Sequence, residues 1–228
     1  MKKGIKSFLL YGIREIVFVV IGILIAVSIN NANESRKSKK NLEGILTTYT
    51  EDLKIDTLTI GQVLKVLEQK EELFTQFLSD TVTIASYKEK PIAYGLVLSY
   101  APFQLQKKGI RSLEGYESSS KKSDSLVIRI LANHSIFDHL LNETHNRIGK
   151  DIDENMQYLK LNQPWIGDLL MGKINTPEML EYYMSKTYKA RLAIHYNLVY
   201  KNLQPYLQQY QIVAKKTLED LDKRLQEE

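Results

Sequence analysis

Four histidines, His134, His139, His145 and His195, are the side chains in this chain best suited to bind a metal or move a proton near neutral pH. The first three stand five and six residues apart. Ligands on one helix must stand three or four apart to share a face, and a zinc site needs three or four of them. His134 and Asp138 meet that spacing and could share one ion, although a hydrogen bond at the surface is the plainer reading. Carboxylates recur on helix-like stretches, as at Glu51-Asp52 and at Asp151 with Glu154. A di-iron bundle would need Glu-x-x-His on two helices, whereas Glu143 precedes His145 by two. No glycine-rich phosphate loop, G-x-S-x-G elbow or H-E-x-x-H pair occurs. The chain has no cysteine, which removes disulfides, thiolate metal sites and cysteine nucleophiles. The expectation is a protein with no catalytic residue, no cofactor and no metal.

Tyrosine is the remaining unusual chemistry. There are 14, and Tyr182, Tyr183, Tyr188, Tyr196, Tyr200, Tyr206 and Tyr210 crowd the last third of the chain. Each offers apolar area and a hydroxyl, so the group fits either a wide helical core or a partner surface.

The element that must position all of this lies near the amino terminus. Residues 8–29 are apolar apart from Arg14 and Glu15. Their 22 residues make a helix about 33 Å long, roughly the thickness of a hydrocarbon core. The reading is a single uncleaved transmembrane helix. Ala26-Val27-Ser28 resembles a signal-peptidase site, but the run is longer than a usual signal-peptide core. Arg14 and Glu15 stand near the edge of the span, where Arg can snorkel to head groups; alternatively, Glu15 makes a polar contact with a partner helix inside the membrane. Gly22 and Ala26 are four apart and form a small-xxx-small face for helix association.

Charge follows the same plan. Residues 1–40 hold eight basic residues, Lys2, Lys3, Lys6, Arg14, Arg36, Lys37, Lys39 and Lys40, against two acidic ones, a net +6. The whole chain is +4, so the remainder is −2. The basic residues flank the apolar span and suit anionic head groups, and the rest offers no basic field for nucleic acid.

Glu15-Ile16, Val19-Val20-Ile21-Gly22-Ile23-Leu24-Ile25-Ala26, Ile29-Asn30-Asn31 and Asn33-Glu34 together resemble the opening of an uncharacterised family of single-pass bacterial membrane proteins, found mostly in Bacteroidota. The chain departs from that pattern at Arg14, where the family usually has Gly, and at Ala32, where it usually has Trp. The resemblance implies a membrane anchor and no particular activity.

Beyond the span, no Gly or Pro appears before Gly44, so the helix can run on. Leu42, Leu46, Tyr49, Leu53, Asp56, Ile60, Val63, Leu67, Lys70, Phe74 and Phe77 follow a 4-3 spacing, apolar except at Asp56 and Lys70. Residues 79–123 are interrupted by Pro91, Gly95, Pro102, Gly109 and Gly115, with a short buried helix expected at 92–100. Ser123 or Asp124 caps a helix running to about Leu159. Thr176-Pro177-Glu178 starts a last helix, which Pro205 should kink or split. The expected fold is all-α: a basic tail (1–7), a transmembrane helix (8–29), a basic juxtamembrane segment (30–41) and an elongated helical bundle with coiled-coil-like packing (42–228).

The functional expectation is a scaffold or interaction protein of a bacterial inner membrane. Its partners are the bilayer and either a second copy or another membrane protein. The alternative is a ligand-binding sensory bundle acting through a separate membrane partner. Positive charge is balanced across the span; the resemblance tips the bundle toward the periplasm.

Overall fold

The computed structural model describes the backbone of residues 2–119 and 124–226, and the side chains of 18–117 and 124–226. The chain divides into two units, Met1–Thr47 and Thr48–Glu228. Every regular element among the described residues is helical.

The first unit is the amino-terminal part of α1 (Lys2–Leu78), a helix of 77 residues. No proline interrupts it, and the asparagines after Ile29 do not break it; Asn30 Nδ2 donates to Glu34 Oε1 one turn on (3.2 Å). The side chains of Lys2, Lys3, Lys6, Arg14 and Glu15 lie outside the described residues.

The second unit is the bundle. Its elements are the rest of α1, α2 (Ile84–Glu89), a 3₁₀ segment (Pro91–Leu98), α3 (Lys108–Ser119), α4 (Ser125–Asn162), α5 (Ile166–Leu170), α6 (Pro177–Tyr183), α7 (Lys186–Tyr196), a π-helical segment (Asn197–Leu203) and α8 (Gln204–Gln226). The seven apolar residues of the 4-3 stripe on this part of α1, from Tyr49 to Phe77, are buried, and so is Asp56. Helix α4 buries its own 3-4 stripe of Val127, Ile130, His134, Phe137, Leu141, Thr144 and Ile148. Helix α8 adds Leu207, Tyr210, Ala214, Thr217 and Leu221. Three long apolar stripes facing inward are the core, as burial of one face of each helix requires.

The helix starts follow their capping chemistry. Asp124 Oδ1 accepts from the Leu126 and Val127 amides (2.9 and 3.3 Å) at the head of α4. Thr176 Oγ1 accepts from the Met179 amide, with Pro177 in the first turn where its missing N–H costs nothing. Around Pro205 the last helix is divided, with α7 and α8 separated by the π-helical segment. The π-helical turn just before it accommodates the proline's missing donor and its ring, and α8 starts at Gln204.

The short segment at 91–98 is a 3₁₀ helix rather than an α-helix. Its carbonyls are claimed by tyrosines: Tyr183 Oη donates to Tyr94 O (3.0 Å) and Tyr188 Oη to Ala93 O (3.1 Å). Tyr94 Oη in turn donates to Asn175 Oδ1 (2.8 Å), and Asn175 takes the left-handed backbone that asparagine tolerates (φ 70°). Tyr87, Tyr94, Tyr183 and Tyr188 pack ring against ring at centroid distances of 4.6–6.4 Å. Of the two readings of the tyrosines, the core is the one observed for Tyr182, Tyr183, Tyr188, Tyr200 and Tyr210, all buried.

Candidate functional site

The apolar face of the first unit is the largest exposed feature. Phe18, Val19, Val20, Ile21, Ile23, Leu24, Ile25, Val27 and Ile29 are each 45–65% exposed, and an 18-residue window of α1 with mean hydropathy 1.4 has none of its residues buried. This is the one helix among the described residues long and apolar enough to cross a membrane. Gly22 and Ala26 are exposed on it, and a Cβ at Gly22 would meet nothing within 4 Å. That face is open for close approach of another helix. Arg36, Lys37, Lys39 and Lys40 follow, all exposed.

Within the bundle, two networks of polar side chains join the helices. In the first, two carboxylates one turn apart on α1 hold the head of α3. Asp52 Oδ2 accepts from the Gly109 amide (2.6 Å), and Asp56 Oδ1 from the Gln106 amide (3.0 Å). Tyr210 Oη of α8 donates to Asp56 Oδ2 (3.0 Å). The first turn of a helix carries free amides and a positive dipole end, so Asp52 acts as a cap supplied by a neighbouring helix.

Burial raises the Asp56 carboxyl to about 6, against the downward pull of the Gln106 and Tyr210 hydrogen bonds and with a further push from the Asp52 charge. The folded chain therefore holds this proton more tightly than the unfolded chain, where the value is 3.8. By linkage, Asp56 makes stability fall as pH rises from 3.8 to about 6, and its effect is flat above that. Two pKa units correspond to about 3 kcal/mol. Asp56→Asn is expected to remove this slope, so that the variant gains about 2–3 kcal/mol relative to the parent between pH 4 and pH 7. Urea unfolding at several pH values reads this difference; parallel stability curves for the two proteins would rule out the burial argument.

The second network joins α4, α7 and the end of the 3₁₀ segment. His195 is fully buried; its Nδ1 lies 2.7 Å from Asp151 Oδ2 and its Nε2 lies 3.3 Å from the Ser99 carbonyl. Asn155 Nδ2 donates to Asp151 Oδ2 (3.1 Å) and to Val97 O (3.3 Å), and Arg191 Nη1 donates to Asn155 Oδ1 (2.9 Å). Phe74 of α1 stacks on the imidazole at 5.9 Å. The partners of His195 are internal, and the ring is closed off from solvent. The network ties α4, α7 and the residues after the 3₁₀ segment together.

The histidine pairing considered from the sequence takes a different form. His134 is buried and burial lowers its pKa, while Asp138 is engaged by Lys107 (Nζ to Oδ1, 3.2 Å). Among the described residues, no group of three or more His, Asp or Glu side chains is arranged to hold a metal ion.

One surface depression has a distinct composition. A groove of about 590 Å³ lies where α4 ends and α5, α6 and α7 begin, walled by Tyr158, Trp165 and Tyr182 and edged by Asp168, Glu178 and Glu181. Tyr158 and Tyr182 stack at 6.0 Å, and Trp165 packs on Tyr182 at 5.6 Å. The Arg191 guanidinium lies 3.7 Å from the centre of the Tyr158 ring. Neither network nor groove was apparent in the sequence. The available signal was Asp56 on an otherwise apolar stripe.

Residues 15–91 match the profile of a family of unknown function, DUF6090. The match covers well under half of the chain, takes in residues 15–29 of the apolar span and most of α1, and brings no activity with it. No curated protein and no solved structure shows significant similarity to the chain.

Proposed function

We propose that this chain is a single-pass protein of a bacterial inner membrane, anchored by residues 8–29, whose bundle acts by binding a membrane-embedded or membrane-adjacent partner rather than by catalysis. The observation that carries the reading is the all-round exposure of Phe18–Ile29, an apolar surface too large for a soluble chain to leave in water. The exposed basic residues Arg36, Lys37, Lys39 and Lys40 would meet anionic head groups at the edge of the span. Gly22 and Ala26 give the anchor a face on which a second copy or another membrane helix would pack. The two internal networks support a binding role, because their groups are committed to the fold. In this reading the bundle lies on the periplasmic side, the orientation toward which the resemblance of the opening residues tips it.

Blue-native electrophoresis and crosslinking of the full chain in membranes test this. The expected result is a carbonate-resistant membrane protein that migrates as a dimer or larger complex and reverts to the monomer on Gly22→Leu. A chain that is released by carbonate, or that stays strictly monomeric and without partner, would contradict the reading.

A further inference from the structure

Residues 99–107, between the 3₁₀ segment and α3, form an irregular strap that side chains hold on the bundle. Among the described residues, no backbone–backbone hydrogen bond involves residues 100–106. The strap runs along α4 in the opposite sense. Its Ser99 carbonyl lies 3.3 Å from His195 Nε2, and the Tyr100 ring packs on His145 at 5.6 Å, with the Phe103 backbone beside the same imidazole. Further on, the Gln106 backbone lies beside His134, and Lys107 Nζ pairs with Asp138 Oδ1 (3.2 Å). The Gln106 amide donates to Asp56 of α1 (3.0 Å). Phe103 and Leu105 are the buried apolar pegs of the strap. Three of the four histidines of the chain thus face this one segment.

His195 has the Asp151 carboxylate beside it as a counter-charge. The other two rings are matched less well. His134 Nε2 and both ring nitrogens of His145 are buried without a hydrogen-bond partner. Asp138 of α4 and Glu114 of α3 face His134, but Asp138 is paired with Lys107, whose positive charge faces the ring as well. Arg111 of α3 lines the same depression. His145 sits against the Tyr100 ring, and among the described residues no charge shifts its titration. Burial holds both imidazoles below the usual 6.5. A neutral ring is tolerated in these surroundings, whereas an imidazolium adds a charge and a second N–H that nothing there accepts.

We propose that residues 99–107 act as a pH-gated strap, closed while His134 and His145 are neutral and lifted from α4 when the two rings take up protons in mild acid. Lifting brings water to both rings and uncovers Phe103 and Leu105. The clasp at Gln106 loosens in the same range: Asp56 takes its proton at about 6, and a neutral carboxyl is a weaker acceptor than a carboxylate. The two effects on stability have opposite signs. The histidines disfavour the closed form as pH falls through 6.5, whereas protonation relieves the buried charge of Asp56 and helps keep the remaining bundle folded while the strap opens. The device lies within the bundle and does not depend on the anchor.

The test uses the full chain in an uncharged maltoside detergent. The chain has no cysteine, so Leu105→Cys and, in a separate variant, Phe103→Cys each place a single thiol under the strap. Their reaction with dithiodipyridine is followed at about pH 7.5 and about pH 5, on either side of the histidine range. Each rate is divided into that of the urea-unfolded chain at the same pH, which removes the thiol's own pH dependence. The expected result is protection at the higher pH that falls by about tenfold or more at the lower one, the change that one pKa unit of preference produces. Leu221→Cys, fully buried on α8, should stay protected at both. His134→Gln combined with His145→Gln should abolish the change, while His139→Gln, at an exposed position of α4, should leave it intact. The variants that keep all four histidines suffice even if the paired glutamine variant folds poorly. The proposal is overturned if both strap thiols are equally protected at the two pH values, if neither is protected at the higher one, or if Leu221→Cys loses protection alongside them. A response of full size in a folded paired glutamine variant would overturn it as well.

Discussion

Replacing His195 with alanine is expected to lower the stability of the bundle by about 3–5 kcal/mol, the cost of a cavity in place of a fully buried ring together with its lost hydrogen bonds. The imidazole is fully buried, and three elements depend on it: Asp151 on α4, the Ser99 carbonyl after the 3₁₀ segment, and Phe74 of α1, which stacks on the ring. Without the imidazole, Asp151 retains only the Asn155 amide among its hydrogen-bond donors in the described structure. Phe74 faces a cavity. Urea unfolding of the detergent-solubilised chain, followed by Trp165 emission, measures the loss. The double variant Asp151→Leu, His195→Leu should lose less than the sum of the two single leucine variants, because the bond between the two side chains is counted once rather than twice. Additive losses would show that the two side chains are not coupled.

The second large effect is expected at Gly109. A Cβ on this residue would stand 2.4 Å from Tyr49 Cα and 2.8 Å from Tyr49 N, so the new methyl meets backbone that cannot swing aside. The same residue donates its amide to Asp52 at 2.6 Å, and any outward shift of α3 lengthens that bond. Gly109→Ala combines overpacking with loss of the cap supplied by α1, and the expected cost is about 1–3 kcal/mol or more. Gly149→Ala gives the matching control. It lies within α4 with nothing within 4 Å of its would-be Cβ, and alanine there should stabilise by about 0.5–1 kcal/mol. Opposite signs at the two glycines are the expected result; equal signs would mean that α3 does not dock as closely as described.

Periodicity made the long helices legible. The stripe from Leu42 to Phe77 was readable because 4-3 spacing puts its members on one face whatever they pack against. All nine apolar members are buried. The starts at Asp124 and Thr176 were readable because capping is local chemistry. The same spacing showed Asp56 as a break in the stripe, but not that the break is filled. Its partners are the Gln106 amide, 50 residues away, and Tyr210, 154 residues away. His195 was legible only as one of four histidines, whereas its partner Asp151 is 44 residues distant on another helix. Gly109 read as an interruption of an irregular stretch, when it is the point where two backbones touch. Pairings of this kind are set by how helices dock, and spacing along one helix carries no information about them. Ring stacking around Tyr87 and Tyr183 belongs to the same class. The tyrosines were evident as a crowd, and only their hydroxyl bonds to the 3₁₀ carbonyls distinguish core from partner surface.

The central claim is that residues 8–29 cross a membrane with the bundle on the far side from the basic tail. The chain has no cysteine, so single-cysteine variants can be labelled cleanly. Lys216→Cys, at an exposed position on α8, and Ser7→Cys in the tail are treated separately with a membrane-impermeant maleimide in cells whose outer membrane has been permeabilised. The account predicts that Lys216→Cys is labelled in intact inner-membrane vesicles of native orientation and in whole cells alike, while Ser7→Cys reacts only after lysis. Equal labelling of both variants before lysis, or protection of both until lysis, would contradict the crossing.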